Sequence, residues 1–323
     1  MKRMYTTYCR FLLPRFKSMN LEPSSQPYTD SQNLESFLEI QRVIFEKQSR
    51  DEPFFIGRLS GNEPNLCGQI LSGVNLPSGL IHNMLFGAGI QFTERDDVVS
   101  YVRTYTDSFR SCDLVGMWSG GSLYDQTRLF CDQISQDWRR NWSPISAIGI
   151  EPYYFMDHPE YNLQRAFENK KVLVLSSHSK SIKSQLKIRD KIFSVAPIFH
   201  PSTKIYVHKP PQQNGGNHDD QSWQAHFDKL KTDIETIHRT FFDFDIALVS
   251  CGGFGMPISA FIRENLGKSV IYVGGALQLY FGIMGSRWEQ SENILKHVND
   301  HWIRPLEVDK PVNPQYCEGG CYW

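Results

Sequence analysis

Four short segments of this chain combine glycines, hydroxyls and charges in a way that could do chemistry. The sharpest is Ser250-Cys251-Gly252-Gly253-Phe254-Gly255, which follows the apolar run Ile246-Ala247-Leu248-Val249 and precedes a helical pattern. Gly252, Gly253 and Gly255 let backbone approach a ligand closely, and free N–H groups at a helix start attract an anion. The segment reads as a phosphate or diphosphate cradle; a tight turn needing positive φ is the plainer alternative. A second anion site is expected at Ser176-Ser177-His178-Ser179-Lys180-Ser181, after another apolar run. Ser177, Ser179 and Ser181 offer hydroxyls, Lys180 a positive charge and His178 a general base. Serine as an ordinary helix cap and histidine as a solvated turn residue are the bland readings.

The third segment is Gly57-Arg58-Leu59-Ser60-Gly61-Asn62-Glu63. Here Arg58 at a strand end and Glu63 past a glycine turn bring opposite charges to one rim. Glu63 could ligate a divalent cation or take a proton from an attacking hydroxyl, or it could be a first-turn acid favoured by the helix dipole. The fourth is Gly274-Gly275-Ala276-Leu277-Gln278, followed by Arg287 and Trp288. Gln278 stands in an apolar segment, and a buried amide needs partners, so it is expected to meet a ligand; Arg287 could equally close a surface ion pair.

Several function classes are excluded or disfavoured. Gly253-Phe254-Gly255-Met256-Pro257-Ile258 lacks the third glycine of a dinucleotide fingerprint, and the next apolar run ends without a carboxylate for a ribose. No Gly-Lys-Ser/Thr follows the glycines, so a Walker-type NTPase is out. Lys plus Arg total 34 against 35 Asp plus Glu in 323 residues. That balance argues against a partner such as nucleic acid. The seven cysteines are scattered, and Cys317 and Cys321 make a poor zinc signature. Reduced thiols without a secretory leader lead us to expect a cytoplasmic protein. Ser269 to Ser286 is uncharged but carries four glycines, so no transmembrane segment is expected.

The elements that must position these residues alternate. Apolar runs at 54–59, 113–118, 146–150, 171–176, 204–208, 244–250 and 269–273 read as strands, with helical periodicity between them. The spacing predicts helices from near Ser31, after a Thr93/Asp96 capping box, and over Trp223 to Ile237. An α/β Rossmann-like fold follows, with a mainly parallel sheet and helices on both faces. Residues 1–30 read as a basic arm and polar linker, and 31–323 as a single α/β domain. Gln212 to Asp220 reads as a mobile flap.

Gly274-Gly275-Ala276-Leu277-Gln278, Phe281-Gly282-Ile283 and Gly285-Ser286-Arg287-Trp288 resemble the C-terminal signature of glycosyltransferases with the GT-D fold. The glycine turn at 250–255, Glu151-Pro152-Tyr153 and the closing Cys321-Tyr322-Trp323 are also similar, and the likeness covers roughly residues 50 to 323. The resemblance implies transfer of a sugar from a nucleoside diphosphate donor, of UDP or GDP type, to a hydroxyl of a glycan or other acceptor. That family carries Arg-(Phe/Tyr)-Gly-Asp-Gly-Glu, its acids associated with a divalent metal. This chain has Arg58 and Glu63 in register but Gly61 at the aspartate position, with Asn62 beside it. Mn²⁺ or Mg²⁺ at Glu63 is the cofactor implied. Two other readings stand beside it: a cysteine-dependent hydrolase using Cys251 with His178, and a non-catalytic nucleotide-sugar or glycan sensor.

Overall fold

The runs Val172-Leu173-Val174-Leu175 and Ile246-Ala247-Leu248-Val249 show no polar alternation, as a strand covered on both faces requires. In the computed structural model, which describes residues 26–73, 78–137, 143–195 and 197–323, both are central strands. Most of the expected basic arm, residues 1–25, lies outside the described residues.

In chain order the elements are α1 (Asp30–Ser49), β1 (Phe55–Arg58), α2 (Asn62–Leu71), α3 (Ser78–Asn83), α4 (Arg95–Asp107), β2 (Leu114–Met117), α5 (Gly121–Asp137) and β3 (Ser143–Ser146). They continue with β4 (Lys171–Ser176), α6 (Ser179–Gln185), β5 (Lys204–His208), α7 (Trp223–Thr236), β6 (Ile246–Ser250), α8 (Gly255–Asn265) and β7 (Ser269–Tyr272). A 3₁₀ helix, Gly274–Phe281, follows β7. All seven strands join one sheet in the order β3-β2-β1-β7-β6-β4-β5, and every pairing is parallel. The expected α/β Rossmann-like architecture is therefore present.

Side-chain alternation divides the interior in two. Leu173, Leu175, Ala247 and Val249 point to one face, packed with Leu66, Phe130, Trp223 and Ile258. Val172, Val174, Ile246 and Leu248 point to the other, packed with Phe37, Ile182 and Leu277. Each fully buried Leu, Ile or Val stabilises the fold by roughly 1.5–3 kcal/mol. The helices are thus held by apolar area on two sides of one sheet.

The connections decide where a ligand can enter. β1 leads into α2 on the first face, whereas its neighbour β7 leads into the 274–281 helix on the second. β6 and β4 diverge in the same way, through α8 and α6. Adjacent strands whose connections leave on opposite faces open a crevice at their carboxyl ends. Here such divergence recurs from β1 across to β4.

Three local expectations are corrected. β3 covers Ser143–Ser146 rather than 146–150, because the Ser146 side chain accepts the Ile148 N–H and turns residues 147–150 into a 3₁₀ helix. Asp97, not Asp96, caps α4: its carboxylate accepts the backbone N–H of Thr93 at 2.7 Å and of Glu94 at 3.2 Å. The 212–220 segment is pinned rather than free. Gly215 donates its N–H to Phe86 and accepts that of Asn313, and Asn217 accepts the N–H of Val312. Among the described residues no helix is long and apolar enough to cross a membrane.

Candidate functional site

A cavity of about 760 Å³ lies over the carboxyl ends of the strands. The end of β1 and the turn after it contribute Arg58, Ser60, Gly61, Asn62 and Glu63, Trp118 directly follows β2, and the β4 turn contributes Ser177 and His178. The turns after β6 and β7 add Cys251, Gly252, Gly274 and Gly275, while Arg287, Glu318, Tyr322 and Trp323 form a wall from the chain's last forty residues. All four segments singled out in the sequence therefore meet at one rim.

Arg58 is buried and held on three sides. Its Nη2 lies 3.1 Å from Glu151, its Nη1 donates to the Val273 carbonyl, and its guanidinium sits 4.6 Å from the centre of the Trp118 ring. Tyr153 donates its hydroxyl to the other Glu151 oxygen at 2.5 Å. A guanidinium carries five donors, so hydrogens remain free after these contacts. Glu151 was only a faint signal in the sequence, and Trp118 had none.

Glu63 is a buried carboxyl in the first turn of α2. Burial pushes its pKa up, and the Glu318 charge adds to this. The Ser60 hydroxyl, donating to Glu63 at 2.5 Å, and a backbone N–H pull the other way. Ser60 also lies 3.5 Å from the Tyr105 hydroxyl.

The divalent metal implied at Glu63 does not fit these residues. A hard cation wants several oxygen ligands in one cage. Among the described residues no three His, Cys, Asp or Glu side chains are placed to hold a metal ion together. Burial raises the Glu63 pKa, and Glu318 is engaged by Arg287 and by the Tyr322 hydroxyl. At position 61 a Cβ would stand 2.6 Å from Gln126 Oε1, so a carboxylate there would displace that side chain.

The β4 turn is divided. Ser177 and His178 line the cavity, but Ser179, Lys180 and Ser181 do not. An anion does sit at the start of α6, and it belongs to the protein. The fully buried carboxylate of Asp309 accepts the N–H of Ser181 at 2.7 Å, the Ser181 hydroxyl at 2.7 Å and the N–H of Lys180 at 3.2 Å. The second anion site is therefore filled from within, and the Lys180 side chain is exposed. Nothing near Asp309 in the sequence pointed to this role.

His178 is only 5% exposed. Burial lowers its pKa to about 4, against a smaller upward pull from Asp309. The ring is neutral at physiological pH. Its Nδ1 lies 3.5 Å from the Ser177 hydroxyl, its ring stacks on Trp323 at 5.7 Å, and Nε2 has no hydrogen-bond partner.

The glycine turn is divided too. Cys251 and Gly252 reach the cavity, whereas Gly253 and Gly255 pack behind it. The Gly253 carbonyl accepts the Tyr101 hydroxyl at 2.9 Å, and Gly255 lies against the Tyr272 ring. Gly252 has φ +51°, and a Cβ there would meet the Ala88 carbonyl oxygen at 2.6 Å. Burial pushes the Cys251 thiol far above its usual range. A nucleophilic thiolate needs the opposite shift.

Gln278 does not line the cavity. Its Nε2 donates to the carbonyls of Ile283 and Tyr322, each at 3.1 Å, so that end of the amide braces the C-terminal wall, while its Oε1 is buried without a hydrogen-bond partner. Gly275 does line the cavity, against the Tyr322 ring. Arg287 pairs with Glu318, donates to the Tyr322 hydroxyl at 3.1 Å and lies 4.9 Å from that ring's centre. No family model, curated protein or solved structure matches the chain.

Proposed function

We propose that this chain is a glycosyltransferase that moves a sugar from a nucleoside diphosphate donor to an acceptor hydroxyl. One observation carries the reading: Arg58, Arg287 and the backbone of two glycine turns share a cavity with a buried carboxyl, Glu63. Departure of a diphosphate needs fixed positive charge and N–H donors where negative charge develops. The spare guanidinium hydrogens of Arg58 and Arg287, with the turns at Cys251-Gly252 and Gly274-Gly275, are suited to that task. Ion pairing to Glu151 and Glu318 keeps both arginines in place before substrate arrives.

The acceptor must lose a proton as its oxygen attacks. A base works best when its pKa lies near the working pH, and burial moves Glu63 in that direction. Glu63 is the group assigned to that proton, with Ser60 orienting its carboxylate. His178, held neutral with a low pKa, is a weaker base. No step is routed through a metal, because the donor set does not suit one.

The test is a thermal-shift and donor-hydrolysis panel of UDP- and GDP-sugars, with Mn²⁺ and with EDTA. Stabilisation by one nucleotide class, unchanged within a degree by EDTA, and slow hydrolysis lost in Glu63→Gln are expected. Binding without turnover in the wild type would instead identify a sensor. No shift with any donor would remove the transferase reading.

A further inference from the structure

The cavity has two chemically different ends. Arg58, Glu63 and Glu151 belong to the β1 side, whereas Arg287 and Glu318 meet the Tyr322 hydroxyl, and the Tyr322 ring packs on Trp323 at 5.9 Å. No side chain contributed by the β4 turn, the 210–214 segment or Trp323 is charged. β4 stands three strands from β1 in the sheet. At the usual inter-strand spacing that is on the order of 14 Å.

This uncharged end holds three buried polar side-chain atoms without a hydrogen-bond partner: His178 Nε2, Gln212 Oε1 and Trp323 Nε1. Buried polar atoms are almost always paired, so three orphans in one wall point to a ligand that pairs them. The surroundings fix their orientation. Gln212 donates its amide to the Asp309 carbonyl at 3.2 Å, which leaves its oxygen over. The His178 ring is approached by the Ser177 hydroxyl at Nδ1, 3.5 Å away, and by the Tyr322 backbone, and Nε2 has no partner within hydrogen-bond geometry. The His178 and Trp323 rings stack on each other, 5.7 Å apart and 28° from parallel. With those faces turned toward each other, the pair leaves no slot for a nucleobase between them.

We infer that the His178–Gln212–Trp323 end of the cavity binds an uncharged, hydroxyl-bearing sugar ring, as a subsite for a saccharide acceptor. Hydroxyls suit the three orphans because each donates and accepts. Trp323 Nε1–H donates to one hydroxyl oxygen, Gln212 Oε1 accepts a hydroxyl hydrogen, and His178 Nε2 pairs with a third. An anion would find no cationic side chain among the residues those segments contribute. The assignment of this ring to the acceptor rests on the glycosyl-transfer reading, because Glu63 lies at the opposite end. It makes the acceptor a saccharide longer than one ring.

Saturation-transfer difference NMR with methyl glucopyranoside, galactopyranoside, mannopyranoside and N-acetylglucosaminide, with and without excess UDP, tests this. At least one pyranoside is expected to receive saturation from the wild-type protein, with UDP leaving the signal intact. The signal should fall at least fivefold in Trp323→Phe, which keeps a ring and removes the N–H, and in Gln212→Ala. His178→Ala is a third variant, and melting curves report which variants fold. No transfer to any pyranoside, a signal indifferent to the substitutions, or displacement by UDP would each overturn the assignment. Sugar binding that persists while no nucleotide binds would leave the subsite standing and remove the transferase reading; nucleotide turnover without pyranoside binding would do the reverse.

Discussion

Arg58 and Glu151 form an ion pair at 3.1 Å inside the wall of the cavity, both side chains buried. They are 93 positions apart in sequence, on the end of β1 and just after the 3₁₀ turn that follows β3. Their pairing ties two sides of the crevice together and holds a cation where the leaving group is proposed to sit.

Breaking a buried pair leaves an uncompensated charge, which costs about 3–5 kcal/mol. Glu151→Leu and Arg58→Met are each expected to lower stability by that order in urea denaturation. The double substitution should recover most of it, because an apolar pair of similar volume leaves no stranded charge. Equal losses in the double and single variants would show that packing, not charge, dominates.

Asp309 is a structural anion at the start of α6, and the Lys180 side chain beside it stays outside the cavity. Asp309→Ala strips the N–H groups of Lys180 and Ser181 and the Ser181 hydroxyl of their acceptor. A loss of about 2 kcal/mol is expected for hydrogen bonds to a charged group. Lys180→Ala should leave both stability and nucleotide-induced stabilisation unchanged, since its side chain is exposed and outside the cavity. A Lys180→Ala variant that loses nucleotide binding would restore an anion role for that turn.

Glu63 makes stability and activity respond to pH in opposite senses. Its folded pKa is raised above the ordinary 4.5, so its contribution to stability is full below that value and is lost as pH rises through the folded pKa. Glu63→Gln should flatten this decline in denaturation curves taken from pH 4 to 8. Activity needs the ionised form, so kcat/KM should rise with pH through the same range. Ser60→Ala removes the hydroxyl that favours the carboxylate and should move that limb to higher pH; an unmoved limb would mean that another group sets it.

His178 acts at the acid end. The folded state holds it neutral, with a pKa of about 4 against an ordinary 6.5. Its contribution is therefore fully present above pH 6.5 and is lost as pH falls toward 4. At 1.36 kcal/mol per pH unit the loss is roughly 3 kcal/mol. His178→Gln cannot titrate and should show correspondingly less acid sensitivity over that window. Parallel curves for the two proteins would show that His178 is not the titrating group.

The strands were legible in the sequence because sheet burial on both faces demands long apolar runs, and 171–176 and 246–250 supply them. The four rim segments were legible for a related reason. Glycine, serine and charge at the end of such a run can lie only at a strand's carboxyl end, where a parallel sheet places its ligands. That reasoning located Arg58, Glu63, His178, Cys251 and Gly275 at the cavity, as well as Asn62, Ser177, Gly252 and Arg287. It also over-reached, to Ser179, Lys180, Ser181, Gly253, Gly255 and Gln278: Asp309 draws the start of α6 away from the rim, the two glycines pack against Tyr101 and Tyr272, and Gln278 bonds carbonyls of the C-terminal wall.

Tertiary structure alone decided how those groups are partnered. Asp309 takes the helix start that a phosphate was expected to take, Gln126 crowds the position of a second carboxylate, and Gln278 holds a carbonyl of the C-terminal wall. Each of these contacts joins residues tens to more than a hundred positions apart. Local periodicity reports which face of an element is buried; it carries no information about which distant polar atom arrives there, since that depends on the path the whole chain takes around the sheet.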